Sequence, residues 1–351
     1  MIASSEQTTM KFGIVPAHGP EHMAVAIEQV RLCRLYEFDS VWIEEHHAPG
    51  PYWASPLLAV AALVPHLDGM TIGTDVLVLP LHDPVHVAEQ AATLDRMTNG
   101  HFVLGVGLGD TASEFATFRV PARLRGARFE EQLEIIRALW SGGTVSYKGV
   151  FYELENAQLG TFPLTAEGPP IWIGGWGPRQ VDRAARLADA WLPGPVRKLD
   201  EVAERQDAYD QALNRVGVDP LRRPRPITRD VIVAPTDAEA WALAFDHVLP
   251  SYEETCADDD SIWGSQNATE SAADRMRSQL RQLAHDQLII GSPSTVAAEA
   301  ARCMSRLRAD HLIIRLKLPG LTPGQMSAML KLIGEQALPA LRQLTFSDAD
   351  R

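Results

Sequence analysis

Residues 70–110, MTIGTDVLVLPLHDPVHVAEQAATLDRMTNGHFVLGVGLGD, combine two β-rich apolar runs with one amphipathic helical pattern. The runs are Thr71–Leu79 and His101–Val106, and the helical pattern Val85–Met97 lies between them. A strand, a helix and a second strand in this order predict a βαβ unit, in which the helix crosses over between two parallel strands.

The same alternation continues along the rest of the chain. The predicted strands are 11–16, 40–43, 71–79, 101–106, 170–174, 190–192, 227–233 and 311–316, and the main predicted helices are 22–36, 55–67, 85–97, 128–140, 178–188, 199–216, 237–249 and 323–344. Eight strands with intervening helices close more naturally as a barrel than as an open sheet. We therefore expect an α/β fold, a single (β/α)8 TIM barrel with insertions at the C-terminal face of its strands.

The barrel is expected to occupy residues 10–345, between a flexible N-terminal leader at 1–9 and a tail at 346–351. Residues 250–284 interrupt the seventh unit with a long segment that is acidic around Asp258–Asp260. Long insertions on barrel tops commonly form lids or binding loops, so a lid or substrate loop is predicted here. A disordered surface excursion is the alternative.

The composition restricts the class of protein. The 351 residues are 46% hydrophobic, which is enough for one large core. Lys and Arg total 32 against 45 Asp and Glu, a formal net charge of -13, so a nucleic acid partner is not expected. Cys33, Cys256 and Cys303 show no CxxC spacing, and no apolar run reaches the roughly 20 residues that span a bilayer. A soluble, cytoplasmic protein without a membrane partner is predicted.

A cluster of acidic and imidazole side chains follows the second predicted strand. Its members are Glu44, Glu45, His46 and His47. In a barrel the reactive groups lie at the carboxyl ends of the strands, so this cluster is a candidate active site. One imidazole could move a proton or stabilise an anion near neutral pH while the other serves the structure. The alternative is a pair of structural histidines.

The histidines also allow a metal interpretation. His82 and His86 are four residues apart and could share one face of a helix, as two ligands would. Pro84 indicates instead that His82 precedes the helix, and no HxH sequence ends the first strand. No metal is predicted.

Gly105, Gly107 and Gly109 end the fourth predicted strand. A backbone without side chains permits close approach of a flat or phosphorylated ligand, and a tight barrel turn is the alternative. Because Asp110 stands where a third glycine of GxGxxG would fall, a dinucleotide fingerprint is poorly supported.

A second glycine-rich turn lies in residues 171–179, IWIGGWGPR. Pro178 marks the first turn of a helix, whose free amide N–H groups and dipole favour a phosphate. Arg179, and Arg128 from the start of the preceding helix, could meet that phosphate because guanidinium groups bind phosphate in a fork. The alternative is a glycine turn beside solvated arginines.

Taken together, these segments resemble the bacterial-luciferase-like family of flavin- and F420-dependent monooxygenases and oxidoreductases, from Lys11 to Leu344. The stretches that carry the resemblance are FDSVWIEEHH (38–47), residues 70–110 quoted above, RFEEQLEIIRALW (128–140), PPIWIGGWGPRQVDRAARLADAW (169–191) and HLIIRLKLPG (311–320).

The resemblance implies roles for individual residues. His46 resembles the family's catalytic histidine near the reactive edge of the flavin ring, and His47 its structural neighbour. Asp75–Val76 matches the non-prolyl cis peptide that packs beneath that ring. Glu114 stands where F420-dependent sugar-phosphate dehydrogenases of this superfamily place a catalytic acid.

The resemblance also implies a set of cofactor-binding positions. They are Asp75, Val76, Leu108, Arg128, Gly174, Gly175, Trp176, Gly177 and Arg179. Two of them depart from the family pattern, since Leu108 replaces a phosphate-contacting arginine of the luciferase subunit and Trp176 replaces the serine of many relatives. The phosphate would therefore depend on backbone amides, Arg128 and Arg179.

The activity implied is that of a two-component monooxygenase. Reduced FMN (FMNH2) from a separate NAD(P)H:flavin reductase would react with O2 to a C4a-(hydro)peroxyflavin, which oxygenates a small organic substrate. The alternatives are an F420-dependent oxidoreductase that transfers hydride without O2, and a non-catalytic flavin-binding subunit. A homodimer through Ser55–Leu67 and Val85–Met97 is also expected.

Overall fold

The computed structural model describes residues 10–48, 50–195, 197–255, 280–281, 284, 286–316 and 320–343. The predicted leader at 1–9, the tail at 346–351 and most of the predicted lid at 250–284 lie outside the described residues. Within them the strands are β1 (Lys11–Val15), β2 (Ser40–Ile43), β3 (Thr71–Thr74), β4 (Leu77–Val78), β5 (Phe102–Gly107), β6 (Val145–Lys148), β7 (Glu153–Ala157), β8 (Ile171–Gly174), β9 (Ala190–Leu192), β10 (Pro226–Val233), β11 (Leu288–Gly291) and β12 (His311–Arg315).

The main sheet is parallel and curls back on itself. Its strand order is β11-β10-β12-β1-β2-β3-β5-β8-β9, with β4 paired to β5 beside this path. Cα atoms of β9 and β10 approach within 8 Å, although no ladder joins those two strands in the part of the chain that the structure describes. The curled parallel α/β sheet confirms the predicted class and curvature, and a barrel closed by hydrogen bonds on every side is not observed.

Helices follow most of the sheet strands. Their bounds are α1 (Met23–Leu35), α2 (Pro56–Leu63), α3 (Pro84–Met97), α4 (Ala112–Thr117), α5 (Arg125–Trp140), α6 (Pro178–Leu187), α7 (Leu199–Arg215), α8 (Asp237–Thr255), α9 (Pro293–Arg306), α10 (Pro323–Leu332) and α11 (Leu338–Leu341). Proline at the first turn of several of them fits the geometry of a helix start. Across the described ranges, no helix has both the length and the apolar character required to cross a membrane.

Alternation along the strands separates an outer apolar layer from the interior of the curl. Ile171 and Ile173 of β8 belong to the large core under the helices, whereas Trp172 between them belongs to a smaller cluster with Trp42 and Ile313. Period-two alternation is the expected consequence of strand geometry. Side chains fill the interior, so the curled sheet is a packed core rather than a channel.

An aromatic layer occupies the lower interior. The rings of Trp42 and Trp172 stack with centroids 4.7 Å apart, and the ring of His311 meets both edge-on. His311 Nε2 and Ser40 Oγ are hydrogen-bonded at 2.7 Å. Burial lowers the pKa of His311 to about 3, so this imidazole is neutral at physiological pH.

Two parts of the sheet differ from the sequence prediction. The predicted strand Thr71–Leu79 is divided into β3 and β4 by a cis peptide bond between Asp75 and Val76. Strand β11 (Leu288–Gly291) was not among the predicted strands, because a run of four residues is too short for periodicity to identify. Strands β6 and β7 form a separate antiparallel pair.

Strand β10 has two partners along its length. Its first half pairs with β12 and its second half with β11. The Ser292 N–H, just after β11, donates to Asp237 Oδ1 at 2.6 Å, at the start of α8. The start of α8, which follows β10, is therefore bonded to the residue that follows β11.

Candidate functional site

The bulge between β3 and β4 is held by glycines of two other strands. A Cβ atom added to Gly107 would lie 2.6 Å from Val76 Cγ2, and one added to Gly174 would lie 2.8 Å from Val76 Cγ1. These distances are too short for any side chain larger than hydrogen. The cis bond that the resemblance implied is present, and Val76 inserts between the carboxyl ends of β5 and β8.

The glycines of β5 pack against the same chain segment. A Cβ on Gly105 would lie 1.8 Å from the Thr74 carbonyl oxygen, and a Cβ on Gly109 would lie 2.5 Å from Val78 Cγ1. The sequence allowed two interpretations of these glycines, close approach of a ligand or a tight barrel turn. The geometry favours the second, because the space beside the glycines is filled by the neighbouring chain segment.

A group of polar side chains, here called the polar layer, lies above the aromatic layer. It consists of Glu44, Asp75, Thr228, Asp230 and Arg315. The Thr228 hydroxyl donates to Asp75 Oδ2 at 2.8 Å, which joins β10 to the segment after β3. Arg315 binds Asp230 through Nε and through Nη2, the latter at 2.8 Å, and donates to Glu44 Oε1 at 3.1 Å from Nη1. Glu44 Oε2 also lies 3.4 Å from Nε2 of the buried His18.

Asp75 is the unusual member of this layer. Burial, followed by the neighbouring Glu44 carboxylate, raises the pKa of Asp75 to about 7, and the Thr228 hydrogen bond and the Arg315 charge oppose this only in part. Sequence reasoning missed Thr228, Asp230 and Arg315. Asp230 and Arg315 carried a detectable signal, because each is a charged residue inside an otherwise apolar strand.

Glu45 is the centre of a second group, here called the Glu45 hub. Its Oε1 accepts from His47 Nε2 at 2.8 Å and from His82 Nε2 at 2.7 Å, and its Oε2 accepts from the Val78 amide. Burial alone would raise the pKa of Glu45, but the bonds from His47 and His82 lower it. The bond to Glu45 raises the pKa of His47. The three side chains form an ion-paired hub that fixes the loop after β2.

The ligand atoms of Glu45, His47 and His82 lie within 4.8 Å of one another, a spacing that a metal ion would also accept. Both imidazoles, however, converge on the same carboxylate oxygen at hydrogen-bond distance. We assign these residues to hydrogen bonding and assign no metal to them. His86, the other histidine considered from sequence, lies one turn along α3, where its N–H donates to the cap residue Asp83.

Glu114 and His46 lie on either side of this hub. Glu114 Oε1 accepts the His47 backbone N–H at 2.9 Å, and the carboxylate is buried. His46 is exposed, with its ring edge-on to Tyr52 at a centroid distance of 4.9 Å. His46 is therefore exposed to solvent, and the buried Glu114 is bonded to the backbone of the loop that carries it. A catalytic role for either residue remains a prediction.

The glycine-rich turn before α6 has an open amino end. Gly177 is the residue before the helix, no side chain caps the helix, and a Cβ on Gly177 would meet nothing within 4 Å. Gly175 has φ +135°, a value that requires glycine, and its carbonyl accepts from Trp191 Nε1. Gln180 Nε2 donates to the Gly174 carbonyl. The turn is held rigidly while its amide groups remain accessible.

Trp176 points away from the open end of α6. Its ring lies near that of Trp191, at a centroid distance of 6.4 Å, and the guanidinium groups of Arg197 and Arg205 lie over it at 5.2 and 5.6 Å. Of the predicted cradle Gly174–Gly177, Trp176 therefore contributes its backbone, and its side chain packs towards α7.

The structure does not bring Arg128 to this turn. Arg128 Nε donates to the Pro80 carbonyl at 3.1 Å, and its guanidinium lies over the Tyr152 ring at 4.8 Å. The side of α5 that faces α6 instead carries Glu130, which pairs with Arg183. Arg128 thus lies on a different face of α5 from the one that contacts α6.

A cavity of about 690 Å³ between α5, α6 and the β6–β7 hairpin holds other basic residues. Leu108 and Arg179, two of the predicted cofactor-binding positions, line it together with Arg123, Arg125 and Arg183, which sequence reasoning missed. Glu130, Glu131 and Glu134 line the same cavity, and Arg183 is paired with Glu130. The cavity lining therefore carries both signs of charge.

A curled parallel sheet with an open helix terminus, a histidine-bearing loop and a bulge at the carboxyl ends of its strands defines a TIM-barrel-like enzyme architecture. The family model described as luciferase-like monooxygenase matches residues 9–311. The chain belongs to this luciferase-like family of oxidoreductases.

Three similar proteins illustrate the range of the family. The chain is 30% identical over 207 residues to a phthiodiolone/phenolphthiodiolone dimycocerosates ketoreductase of Mycobacterium sp. (strain JLS), covering 52% of this chain and 54% of that relative. It thus spans about half the length of that curated relative. An F420-dependent secondary alcohol dehydrogenase in complex with an F420-acetone adduct has a TM-score of 0.75 at 17% identity, covering 95% of this chain and 100% of the other. The oxygenating constituent of 3,6-diketocamphane monooxygenase from Pseudomonas putida, in complex with FMN, has a TM-score of 0.74 at 18% identity, covering 95% and 98%.

Proposed function

We propose that this chain is a flavin-dependent monooxygenase that uses reduced FMN and O2 to oxygenate a small organic substrate at the carboxyl ends of its strands. The observation that carries the proposal is the insertion of Val76 between Gly107 and Gly174, because it forms an apolar support at the carboxyl ends of β5 and β8. The loop that carries the exposed His46 follows β2 at the same edge of the parallel sheet. Family membership supports the same assignment.

The residues around this support fit a phosphorylated planar cofactor. Val76 would contact the ring, and the uncapped amino end of α6 at Gly175 and Gly177 would receive the phosphate, with Arg179 beside it. The Gly177 side is open, so a phosphate would meet no side chain there. Bound reduced FMN supplies the electrons and the site of O2 activation.

The chain itself would position groups and move protons. His46 is exposed in the loop after β2 and would transfer a proton to or from the reacting centre. The Glu45 hub and the bond from the His47 amide to Glu114 hold the backbone of the loop that carries His46. Side chains at the top of the sheet would exclude water from the reacting centre.

His46→Ala tests this assignment. We expect turnover to fall by about 100-fold with little change in cofactor affinity, because a proton-transfer group acts mainly in the transition state. Turnover of the variant equal to that of the unchanged protein would contradict the role given to His46.

An F420-dependent hydride transfer without O2 is the second candidate, favoured by the named ketoreductase relative and by the F420-bound structural neighbour. Binding and turnover should be compared with FMNH2 and with F420 on the same preparation. Oxygen uptake with FMNH2 supports the monooxygenase, and loss of F420 absorbance with a substrate supports the alternative. Tight binding of either without turnover supports a non-catalytic flavin-binding subunit.

We further propose a homodimer and a separate NAD(P)H:flavin reductase. Leu58 on α2 is 68% exposed and Met97 at the end of α3 is 48% exposed, so both helices present large apolar side chains outward. Sedimentation at micromolar concentration is expected to show a dimer, and Leu58→Glu to shift it towards monomer. A monomer in the unchanged chain would exclude this interface.

A further inference from the structure

The polar layer contains more acidic than basic groups. Glu44, Asp75 and Asp230 carry carboxyl groups, and the guanidinium of Arg315 is bonded to two of them, Glu44 and Asp230. Arg315 gives both of its fork bonds to Asp230 and one further bond to Glu44. Asp75 receives a neutral hydroxyl donor, Thr228, instead of a charge-assisted bond.

Glu44 and Asp75 are also neighbours across two strands. Ile43 of β2 is paired with Thr74 of β3, and the Asp75 N–H donates to the Ile43 carbonyl at 2.8 Å. Glu44 and Asp75, the residues that follow these partners, are therefore adjacent on neighbouring parallel strands, which lie about 5 Å apart. Two carboxyl groups at that separation resist simultaneous ionisation.

Asp75 precedes Val76, the proposed support of the cofactor ring. Gly174 lies two residues along β8 from Trp172 of the aromatic layer, on the same face of the strand. It contacts Val76 and carries no side chain. The polar layer thus lies between the aromatic layer and the proposed cofactor site. A charge on Asp75 would act on a ligand at Val76 through the low-dielectric interior.

We propose that Asp75 and Glu44 are a carboxyl pair that holds one exchangeable proton beneath the cofactor site, and that loss of this proton weakens binding of the anionic reduced cofactor. This inference rests on the proposed function, because it concerns the same site. The proton resides on Asp75, since Glu44 has the Arg315 bond and Asp75 has the neutral donor. The raised pKa of Asp75, about 7, agrees with this placement.

The charged groups that face Asp75 come from several elements. Glu44 follows β2 and raises the pKa of Asp75, and Arg315 of β12 lowers it. The charge of Asp230 on β10 offsets that of Arg315, and His18, which follows β1, lies with its Nε2 3.4 Å from Glu44 Oε2. A proton lost from Asp75 therefore adds a negative charge that none of these groups neutralises fully.

The pair is tested first in the cofactor-free protein. Infrared difference spectra between pH 5 and pH 9 are expected to show the carbonyl stretch of a protonated carboxyl group that disappears near neutral pH, and Asp75→Asn should remove that signal. Glu44→Gln should move its titration to lower pH. If the unchanged protein shows no such signal, or if Asp75→Asn retains it, the pair is refuted whether or not a flavin binds.

The effect on the cofactor is tested by anaerobic titration with reduced FMN. Asp75→Asn and the unchanged protein should have equal affinity at pH 6, whereas at pH 8.5 the variant should bind about 10-fold tighter, as expected for one charge at a separation on the order of 10 Å in an interior of moderate dielectric. Oxidised FMN, whose ring is neutral, should show a smaller difference.

Asp200→Asn is the matched control, because Asp200 carries the same charge but is exposed on α7, and it should follow the unchanged protein. An affinity ratio between Asp75→Asn and the unchanged protein that stays constant from pH 6 to pH 8.5 would overturn the coupling. If reduced FMN does not bind at all, the proposed function fails, and the infrared experiment still decides the carboxyl pair.

Discussion

The substitution Gly105→Ala distinguishes the two interpretations of the glycine run in β5. Its Cβ would lie 1.8 Å from the Thr74 carbonyl oxygen, about half of an ordinary non-bonded distance. The obstacle is backbone in a paired strand, which cannot rotate away as a long side chain does. Overpacking of this kind costs about 1–3 kcal/mol, and we expect the upper end of that range or more.

The thermal midpoint of unfolding is measured by differential scanning fluorimetry. A loss of about 3 kcal/mol corresponds to a decrease of roughly 4 °C for a domain of this size. Gly160→Ala is the matched control, because Gly160 is exposed and a Cβ there would meet nothing within 4 Å. Its stability should change by less than about 0.5 kcal/mol.

If Gly105 instead serves the approach of a ligand, the result differs. Gly105→Ala would then keep the midpoint of the unchanged protein and would weaken binding of the cofactor. An unchanged midpoint for Gly105→Ala would therefore refute the packing argument.

Three further predictions concern ionisable groups. Glu45→Gln should lower the pKa of His47 towards that of a free imidazole, which NMR titration measures, and should cost about 2 kcal/mol at pH 7, since a bond to a buried charge is lost. The pKa of Asp75 in the folded protein is about 7. The stability that its protonated form contributes is fully present below about pH 4 and is lost as the pH rises to 7, by up to about 4 kcal/mol. Asp75→Asn should abolish that loss. His311, with a folded pKa of about 3, acts in the opposite direction, so stability is lost as pH falls from about 6.5 to 3, and His311→Gln should flatten this limb. Urea denaturation across pH separates the two slopes, and equal profiles for each variant and the unchanged protein would contradict them.

The strands and helices were largely predictable because their signals are local. Alternating apolar runs, and prolines such as Pro84 and Pro178 at helix starts, identified the βαβ order directly. The interruption of the third strand had no local signal from propensity, and the resemblance alone indicated the cis bond at Asp75–Val76. Strand β11 was missed because tertiary pairing with β10 decides the structure of so short a run.

The site was predictable only where its members are close in sequence. The cluster 44–47 was found from its position after a strand, but its partners His82 and Glu114 are fixed by contacts over 37 and 67 residues. His82 was considered as a metal ligand, and the structure places it on Glu45 instead. The sequence could not show which side of α5 faces α6, because this depends on how the two helices pack. Glu130 lies on that side, and Arg128, which was predicted beside the phosphate, lies on another.

The bond between Asp237 and Ser292 has an implication for the evolution and engineering of the enzyme. Because this bond joins the start of α8 to the residue after β11, it fixes the two ends of the excursion relative to each other. Loop-closure entropy grows slowly with length, so the segment between α8 and β11 can be lengthened, shortened or replaced at small cost to the sheet. Transplanting residues 256–287 from a relative with another substrate, while keeping α8, β11 and both anchors, is therefore a direct way to exchange specificity as one cassette.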